Sequence, residues 1–262
     1  MNSARGWTAP VQLVGERVLE GIEEVGGMAL LLIGLLRALV PPRISGRELL
    51  RQLNKMAVSS VPIVMLTAFF TGSIMVIQSG IFVKRFGAYG LLGWGAGYAV
   101  LREVGPLLIG LMFSGRVGSN NAAELATMTV TEQIDGLRAL AIEPIRYLIV
   151  PRVLAMVIAM LCLLVIGDLV ALGGGALLTR ILFHVEFSSL FHSLFDNLKP
   201  WDFLIGVIKS IFFGFAIALT SCHFGTSVKG GAIGVGRAVN DTVVAAALAI
   251  MVSDYLLTLV LR

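Results

Sequence analysis

The sequence predicts an all-α integral membrane protein with five transmembrane helices. Of its 262 residues, 57% are hydrophobic and only 14% are charged, whereas a soluble globular domain carries roughly 25% charged residues. Apolar runs of the length that a transmembrane helix needs, about 20 residues, recur along the chain. No low-complexity linker separates them, so we expect one membrane domain. The first residues lack the apolar core of a signal peptide, and we expect no cleaved targeting segment.

The N-terminal region, 1–55, is predicted to hold an interfacial amphipathic helix followed by a re-entrant helix. Valine and isoleucine recur at helical spacing over 11–25, and glutamates take the other face. This pattern is typical of a helix in the membrane interface or of a helix packed on a protein surface. The apolar run 27–40 is interrupted by Arg37 and is short for a span. We interpret it as interfacial or re-entrant, with a full crossing as the alternative, and Pro41-Pro42 ends it.

Residues 56–262 form the predicted five-span domain. The expected spans are 56–83, 86–115, 153–179, 203–222 and 242–261. Lysine and arginine concentrate on one side of the membrane when the N-terminus is placed in the cytoplasm, as the positive-inside rule requires. An odd number of spans then puts the C-terminus on the opposite side. The residues from 180 to 202 would face outward, with a short surface helix near 188–198.

Ionisable residues inside the spans are the first candidates for a functional site. Arg102 and Glu103 interrupt span two, Lys209 lies in span four and Asp254 in span five. Such groups are costly in a bilayer and usually face a cavity or one another. They either line a substrate path or form ion pairs that fix helix register. Gln78 in span one either joins this lining or bonds a neighbouring backbone group. Asp168 in span three is left outside the candidate set.

The polar segment 119–143 is the second candidate region. Two capping-box-like patterns, Asn121 with Glu124 and Thr129 with Glu132, predict two short helices that end before Pro144. A charged amphipathic helix on a short cytoplasmic loop either lies on the bilayer or inserts into a soluble partner.

Small residues recur every four positions in two spans, at Gly110, Ser114 and Gly118 and again at Gly206, Ser210 and Gly214. This spacing lets helix backbones approach closely. The faces would pack within the chain or join two copies of it.

Several chemistries are not supported by any motif. The glycine-rich segments 115–119 and 230–236 lack the GxxxxGK[ST] pattern of a P-loop, so we expect no ATP bound by this chain. The spacing of histidines and carboxylates predicts no metal site. Cys222-His223 lacks a third catalytic member, so no enzyme activity is expected. The net charge of +4 comes from residues between apolar runs and does not indicate nucleic-acid binding.

The central stretch resembles the MlaE/YrbE family, the permease subunits of bacterial MCE-type ABC lipid transporters. The resemblance rests on four strings in combination, 101–106 (LREVGP), 114–118 (SGRVG), 123–128 (AELATM) and 131–135 (TEQID). Pro151-Arg152 and the glycines of 230–236 look like the same family. Ala126 and Asn120-Asn121 depart from its usual pattern without removing a charge.

The resemblance implies a homodimer bound to a cytoplasmic ABC ATPase dimer, which carries ATP and magnesium. A STAS-domain protein often accompanies it, and a periplasmic MCE-domain hexamer caps it in the bacterial inner membrane. The expected cargo is a lipid, above all a phospholipid, in service of outer-membrane lipid asymmetry. The segment 119–143 would be the coupling helix, with the ATPase contacted by Glu124, Glu132, Asp135 and Arg138. The lipid route would be lined by Arg102, Glu103, Lys209 and Asp254.

Two rival functions follow from the same residues. The buried charges could serve a self-sufficient ion-coupled carrier or channel as a proton or ion relay. The chain could also be a structural anchor for a complex, in which case the charges would only stabilise it.

Overall fold

The computed structural model describes residues 5–38, 46–86 and 92–261, and the described residues form helices joined by short turns, with no strand. The α-helices are α1 Arg5–Ala38, α2 Gly46–Ala57, α3 Val61–Phe86, α4 Leu92–Ala99, α5 Gly105–Phe113, α6 Ser119–Val130, α7 Gln133–Ala139, α8 Val150–Phe183, α9 Phe187–Asn197, α10 Pro200–Thr226 and α11 Gly231–Val260.

The prediction of five membrane-spanning helices is confirmed for the described part of the chain. The helical stretches long and apolar enough to cross a bilayer are Gly46–Ile81, Gly93–Val130, Ile145–Phe183, Pro200–Thr226 and Gly231–Val260. Each extends past the apolar run seen in the sequence at one end or at both, because helical hydrogen bonding continues into the polar residues there. Residues 87–91, at the predicted start of span two, lie outside the described residues.

Two π-helical segments, Val100–Val104 and Ser114–Gly118, join α4, α5 and α6 into one continuous helix. Pro106 stands at the start of α5 and has no N–H to donate, so the preceding turn loses a backbone hydrogen bond. Single π-helical turns accommodate such an irregularity and occur frequently at functional sites. The first of these segments carries Arg102 and Glu103.

The segment 119–143 contains two helices, although α6 continues directly from the second span. The helix breaks at Thr131 and Glu132, where Glu132 adopts a left-handed φ of 58°. α7 follows, and Ala141 has a φ of 57° just after it. We call the end of the bundle that carries α7 the α7 end, and the opposite end, which carries α9, the α9 end.

The N-terminal region differs from its expected division into two segments, because α1 runs without interruption from Arg5 to Ala38. α1 is not among the five candidate spans, and its placement in the membrane interface stays a prediction. Its residue Gly27 faces the His223 ring on α10, where a Cβ would lie 2.4 Å from a ring carbon. Glu24 contacts His223 Nε2 at 2.6 Å. The predicted stop at Pro41-Pro42 lies outside the described residues.

The core is built around α8, whose Met156, Met160, Leu163 and Leu164 are fully buried. Close packing depends on glycine, since a Cβ at Gly72 of α3 would lie 1.9 Å from the Ala171 carbonyl oxygen. The repeated small residues pack within the chain, as one of the two alternatives predicted. A Cβ at Gly118 would meet Ile217 of α10 at 2.9 Å, and one at Gly214 would meet α8 at 3.1 Å.

Candidate functional site

Lys209 of α10 is the centre of a buried charged cluster. Its side chain is completely buried, and its ammonium group contacts the Glu103 carboxylate. It also lies 2.9 Å from Oδ1 of Asp254 and donates a hydrogen bond of 2.8 Å to the Thr258 hydroxyl. A buried lysine is tolerated only when it is paired and hydrogen-bonded. Two carboxylates and a hydroxyl supply that compensation here.

Arg102 extends the cluster toward the α9 end. It donates a 2.9 Å hydrogen bond to Asp202 at the start of α10 and a 3.3 Å hydrogen bond to the carbonyl of Leu261. The guanidinium carbon lies 5.3 Å from the centre of the Tyr98 ring, a cation–π geometry. Arg102 Nε is also 3.9 Å from Glu103. Arg102 and Glu103 therefore both connect the π-helical segment to α10.

Backbone proximity allows the cluster to form. A Cβ at Gly206 would lie 2.3 Å from the Leu101 carbonyl oxygen, so only glycine lets α10 approach the π-helical segment this closely. Asp202 accepts a hydrogen bond from the Lys199 N–H at 3.1 Å, within the capping box that begins α10. Lys209 lies about 14 Å along α10 from Pro200 at 1.5 Å per residue. The cluster thus lies inside the span, nearer the α9 end.

The cluster is open on one side. The Glu103 and Asp254 side chains are 34% and 19% exposed, whereas those of Lys209, Asp202 and Arg102 are 0%, 10% and 15% exposed. Two cations therefore face three carboxylates, and Glu103 is the most accessible of the five side chains, whereas Oδ1 of Asp254 is buried. Such an arrangement can exchange its internal partners for the charged groups of a ligand.

The structure brings together four of the five residues expected in the membrane path. Arg102, Glu103, Lys209 and Asp254 form one network, whereas Gln78 is exposed on α3 and takes no part in its described hydrogen bonds. Asp202 belongs to the network but was not a candidate, because it lay just outside the predicted span. Its position three residues after Lys199, a helix-start spacing, was the pattern that could have indicated it.

A second network joins four helices, α2, α6, α8 and α10, at the α7 end. Glu124 of α6 contacts Lys55 of α2 and lies 3.2 Å from Arg152 of α8. Arg152 also donates a 2.7 Å hydrogen bond to Asn121, whose amide donates to Ser221 at 2.9 Å. Arg152 and Asn121 are buried. The sequence pattern predicts a helix-cap position for Asn121 and places Arg152 only in the family motif. In the structure Asn121 lies inside α6, which begins at Ser119 without a side-chain cap, and its side chain belongs to this network instead.

The other three residues expected to contact an ATPase lie on the surface of the α7 end. Glu132, Asp135 and Arg138 are exposed, and Arg138 pairs with Asp135 at 2.7 Å. Exposed apolar side chains surround them, including Leu140 at 72% and Tyr147 at 59%. Mixed apolar and charged surfaces of this kind are typical of protein interfaces.

Comparison with known proteins shows which family this chain belongs to. Residues 49–260 match the sequence model of the family described as Permease MlaE. The chain belongs to the MlaE permease family. The match covers all five candidate spans except the first few residues of the first, and it confirms the resemblance seen in the central stretch.

Relatives across the MlaE family are similar over most of the chain. A probable ABC transporter permease protein of Rickettsia conorii is 39% identical over 94% of this chain and 95% of its own length. The intermembrane phospholipid transport system permease protein MlaE of Haemophilus influenzae is 30% identical over 96% of this chain and 97% of its own. The chloroplastic protein TRIGALACTOSYLDIACYLGLYCEROL 1 of Arabidopsis thaliana is 36% identical over 82% of this chain and 62% of its own. This MlaE-family chain is therefore a multi-pass membrane permease, a transport subunit rather than an enzyme.

Proposed function

We propose that this chain is the membrane-spanning subunit of an ATP-driven lipid transporter of the bacterial inner membrane. It would move a phospholipid between that membrane and a periplasmic MCE-domain hexamer and so help maintain outer-membrane lipid asymmetry. The observation that carries the proposal is the buried charged cluster around Lys209 inside an otherwise apolar bundle. The printed name of the Haemophilus influenzae relative, a phospholipid transport permease, supports the choice of cargo.

The cluster has the chemistry that a phospholipid headgroup requires. Lys209 and Arg102 can bind a phosphate, and Glu103, the most accessible carboxylate of the cluster, can bind a cationic amine. A headgroup that replaces the internal ion pairs keeps every buried charge compensated, so entry need not leave a charge unpaired. The acyl chains would lie against the apolar helices around it.

A second copy of the chain would complete the pocket. The Glu103 side chain is partly exposed in a single chain, and α11 carries exposed apolar residues such as Leu248, Met251 and Leu256. In the proposed homodimer, these α11 surfaces meet and enclose the open edges of both clusters. The enclosed volume then holds the lipid away from bulk solvent.

The α7 end would bind the ATPase dimer, which supplies ATP and magnesium. The exposed residues Glu132, Asp135 and Arg138 offer charged contacts, and Leu140 and Tyr147 offer apolar ones. This places the α7 end and the N-terminus in the cytoplasm and the C-terminus in the periplasm, in agreement with the positive-inside rule. A STAS-domain protein would join the ATPase in some systems.

The continuous helix from α4 to α6 provides the mechanical link. It carries Arg102 and Glu103 near one end, and Glu124 near the other is held to α2 and α8 by Lys55 and Arg152. Movement of α7 on ATPase closure would be transmitted through this helix to the charged cluster. Glu124 would then act in coupling by holding α6 in place, besides any direct contact with the ATPase.

Reconstitution tests the proposal. The chain is incorporated into liposomes with and without its ATPase, and transfer of a fluorescent phospholipid to an acceptor MCE-domain protein is measured. We expect transfer that requires ATP and the ATPase and falls at least tenfold in Lys209→Met. Transfer driven by a proton or ion gradient without the ATPase would instead support the ion-coupled carrier. Unchanged transfer in Lys209→Met would leave the cluster a purely structural role.

A further inference from the structure

A polar pocket lies at the α7 end, apart from the charged cluster around Lys209. It has a volume of about 510 Å³, and its walls come from α2, the second π-helical segment, α6 and α11. Binding sites for small ligands are commonly of roughly 300–1,000 Å³. The charged and amide side chains on its walls include those of Lys55, Arg116, Asn120 and Glu124, and the apolar ones are those of Met56, Val117, Ala123 and Val239.

The two cations that line this pocket mark the boundary of the apolar part of the membrane. Lys55 directly precedes the uncharged run 56–83, and Arg116 directly follows the uncharged run 104–115. Uncharged apolar runs lie in the hydrocarbon core, and lysine and arginine at their ends reach the lipid headgroups. The pocket therefore lies at the depth of the headgroup phosphates in the leaflet at the α7 end.

Arg116 and Asn120 bring hydrogen-bond donors to the pocket that the described part of the chain does not use. They are four residues apart on the continuous helix, so their side chains share one face. Both residues are exposed, and neither the guanidinium nor the side-chain amide has a hydrogen bond or ion pair with another described residue. Their donors are therefore available to a ligand.

Positive charge exceeds negative charge around the pocket. Glu124 is the only acidic residue among the described residues that line it. Its carboxylate already contacts Lys55 and lies 3.2 Å from Arg152, so two cations share this one anion. Arg116 has no counter-charge of its own among the described residues. An excess of one sign of charge in a concave site bounded by apolar walls attracts ligands of the opposite sign.

A phosphate group matches these donors. The planar guanidinium of Arg116 can donate two parallel hydrogen bonds to phosphate oxygens, the Asn120 amide can donate another, and Lys55 adds a point charge. We propose that this pocket binds a phosphate group of net negative charge, supplied by the headgroup of an anionic phospholipid in the leaflet at the α7 end. Free phosphate has the same chemistry but lacks the acyl chains. The site is separate from the Lys209 cluster and does not depend on the proposed transport.

The test uses the full-length protein in phosphatidylcholine nanodiscs, without ATP or ATPase. The probe is phosphatidic acid with a photoreactive group on an acyl carbon close to the glycerol, compared with phosphatidylcholine that bears the same group. The labelled residues are mapped by mass spectrometry. We expect phosphatidic acid to label the residues around the pocket at least fivefold more strongly. Millimolar inorganic phosphate should not displace it, because free phosphate has no acyl chains to hold it at the membrane.

Two variants test the donors of the pocket. Arg116→Gln should reduce labelling by phosphatidic acid at least fivefold and leave labelling by phosphatidylcholine unchanged. Asn120→Ala should reduce it at least twofold. Because both residues are exposed and have no partner among the described residues, neither variant should change the melting temperature. Arg237→Gln is the matched control, since it removes the same charge from an exposed residue of α11 that does not line the pocket, and it should label as the natural protein does.

Four outcomes would overturn the proposal. Equal labelling by phosphatidic acid and phosphatidylcholine would mean that the pocket does not select a net negative headgroup. Equal losses in Arg116→Gln and Arg237→Gln would indicate general attraction of anionic lipid to a basic surface. Displacement by inorganic phosphate would assign the pocket to free phosphate instead of a lipid. If Arg116→Gln kept full labelling but lost binding to the ATPase in a pull-down, Arg116 would be a protein contact.

Discussion

The ammonium group of Lys209 lies 2.9 Å from the carboxylate of Asp254, inside the bundle and with no exposed side-chain surface on the lysine. Glu103 contacts the same ammonium group from a third helix. The π-helical segment, α10 and α11 therefore all depend on one buried cation. We therefore expect that the contribution of Lys209 to stability can be measured separately from its contribution to transport.

Lys209→Met should destabilise the protein, because it removes the cation between Glu103 and Asp254 and leaves only Arg102 near Glu103. Removing one partner of a buried ion pair costs about 3–5 kcal/mol. The triple variant Lys209→Met, Glu103→Gln and Asp254→Asn should recover much of that stability, since no charge is then uncompensated. Thermal unfolding in detergent measures the change in stability, and the lipid-transfer assay measures the change in transport. We expect the triple variant to remain inactive; restored transfer would show that the cluster serves only to hold the helices together.

Charge reversal at the α7 end should distinguish docking residues from structural ones. Arg138→Glu changes an exposed residue, and we expect it to weaken ATPase binding at least fivefold with little change in melting temperature. Glu124→Arg places a cation beside Lys55 and Arg152 and should lower both the melting temperature and ATP-dependent transfer. Pull-down of the ATPase and thermal unfolding measure the two effects.

Asp196→Arg is the matched control for Glu124→Arg, since it makes the same charge change on an exposed residue of α9, at the other end of the bundle. It should leave ATPase binding unchanged. If Glu124→Arg and Arg138→Glu both retained normal ATPase binding and transfer, the coupling role of this segment would be wrong.

Asn121→Ala should destabilise the protein because it removes the acceptor of the 2.7 Å hydrogen bond from Arg152. Leaving a buried polar group without its partner costs about 1–3 kcal/mol. Asn120→Ala, one residue away on an exposed position, should change stability by less than about 0.5 kcal/mol. Equal melting temperatures for the two variants would contradict the role assigned to Asn121.

Gly72→Ala should separate α3 from α8, because its Cβ would lie 1.9 Å from the Ala171 carbonyl oxygen. Overpacking of this kind costs about 1–3 kcal/mol. At Gly173 the new methyl group meets nothing within 4 Å, and alanine favours a helix over glycine by about 1 kcal/mol. Gly173→Ala should therefore be neutral or slightly stabilising. A comparable loss of stability in both variants would show that these helices require the flexibility of glycine rather than close packing.

The small-residue pattern shows how far sequence reasoning extends. The spacing of Gly206 and Gly214 indicated a close contact with another helix. That helix could belong to the same chain or to a second copy of it. The structure resolves this for Gly206, because its Cβ would clash with the Leu101 carbonyl of the same chain. Spacing along a helix defines a face, and only the packing of the whole bundle determines what that face meets.

The sequence by itself determined the number of spans and the residues that interrupt them, because length and hydropathy are local properties of the chain. Its motifs also determined the family. Tertiary structure alone decided that Arg102 binds Asp202, that Lys209 joins Glu103 to Asp254, and that Gln78 stays outside this network. It also decided that Glu124 is held by Arg152 and that the carboxyl oxygens of Asp168 are buried without a hydrogen-bond partner among the described residues. The physical reason is that a sequence shows which charged residues lie in a helix but not how that helix is rotated about its axis. The π-helical turns and the glycine contacts set that rotation and so the direction in which each charged side chain points.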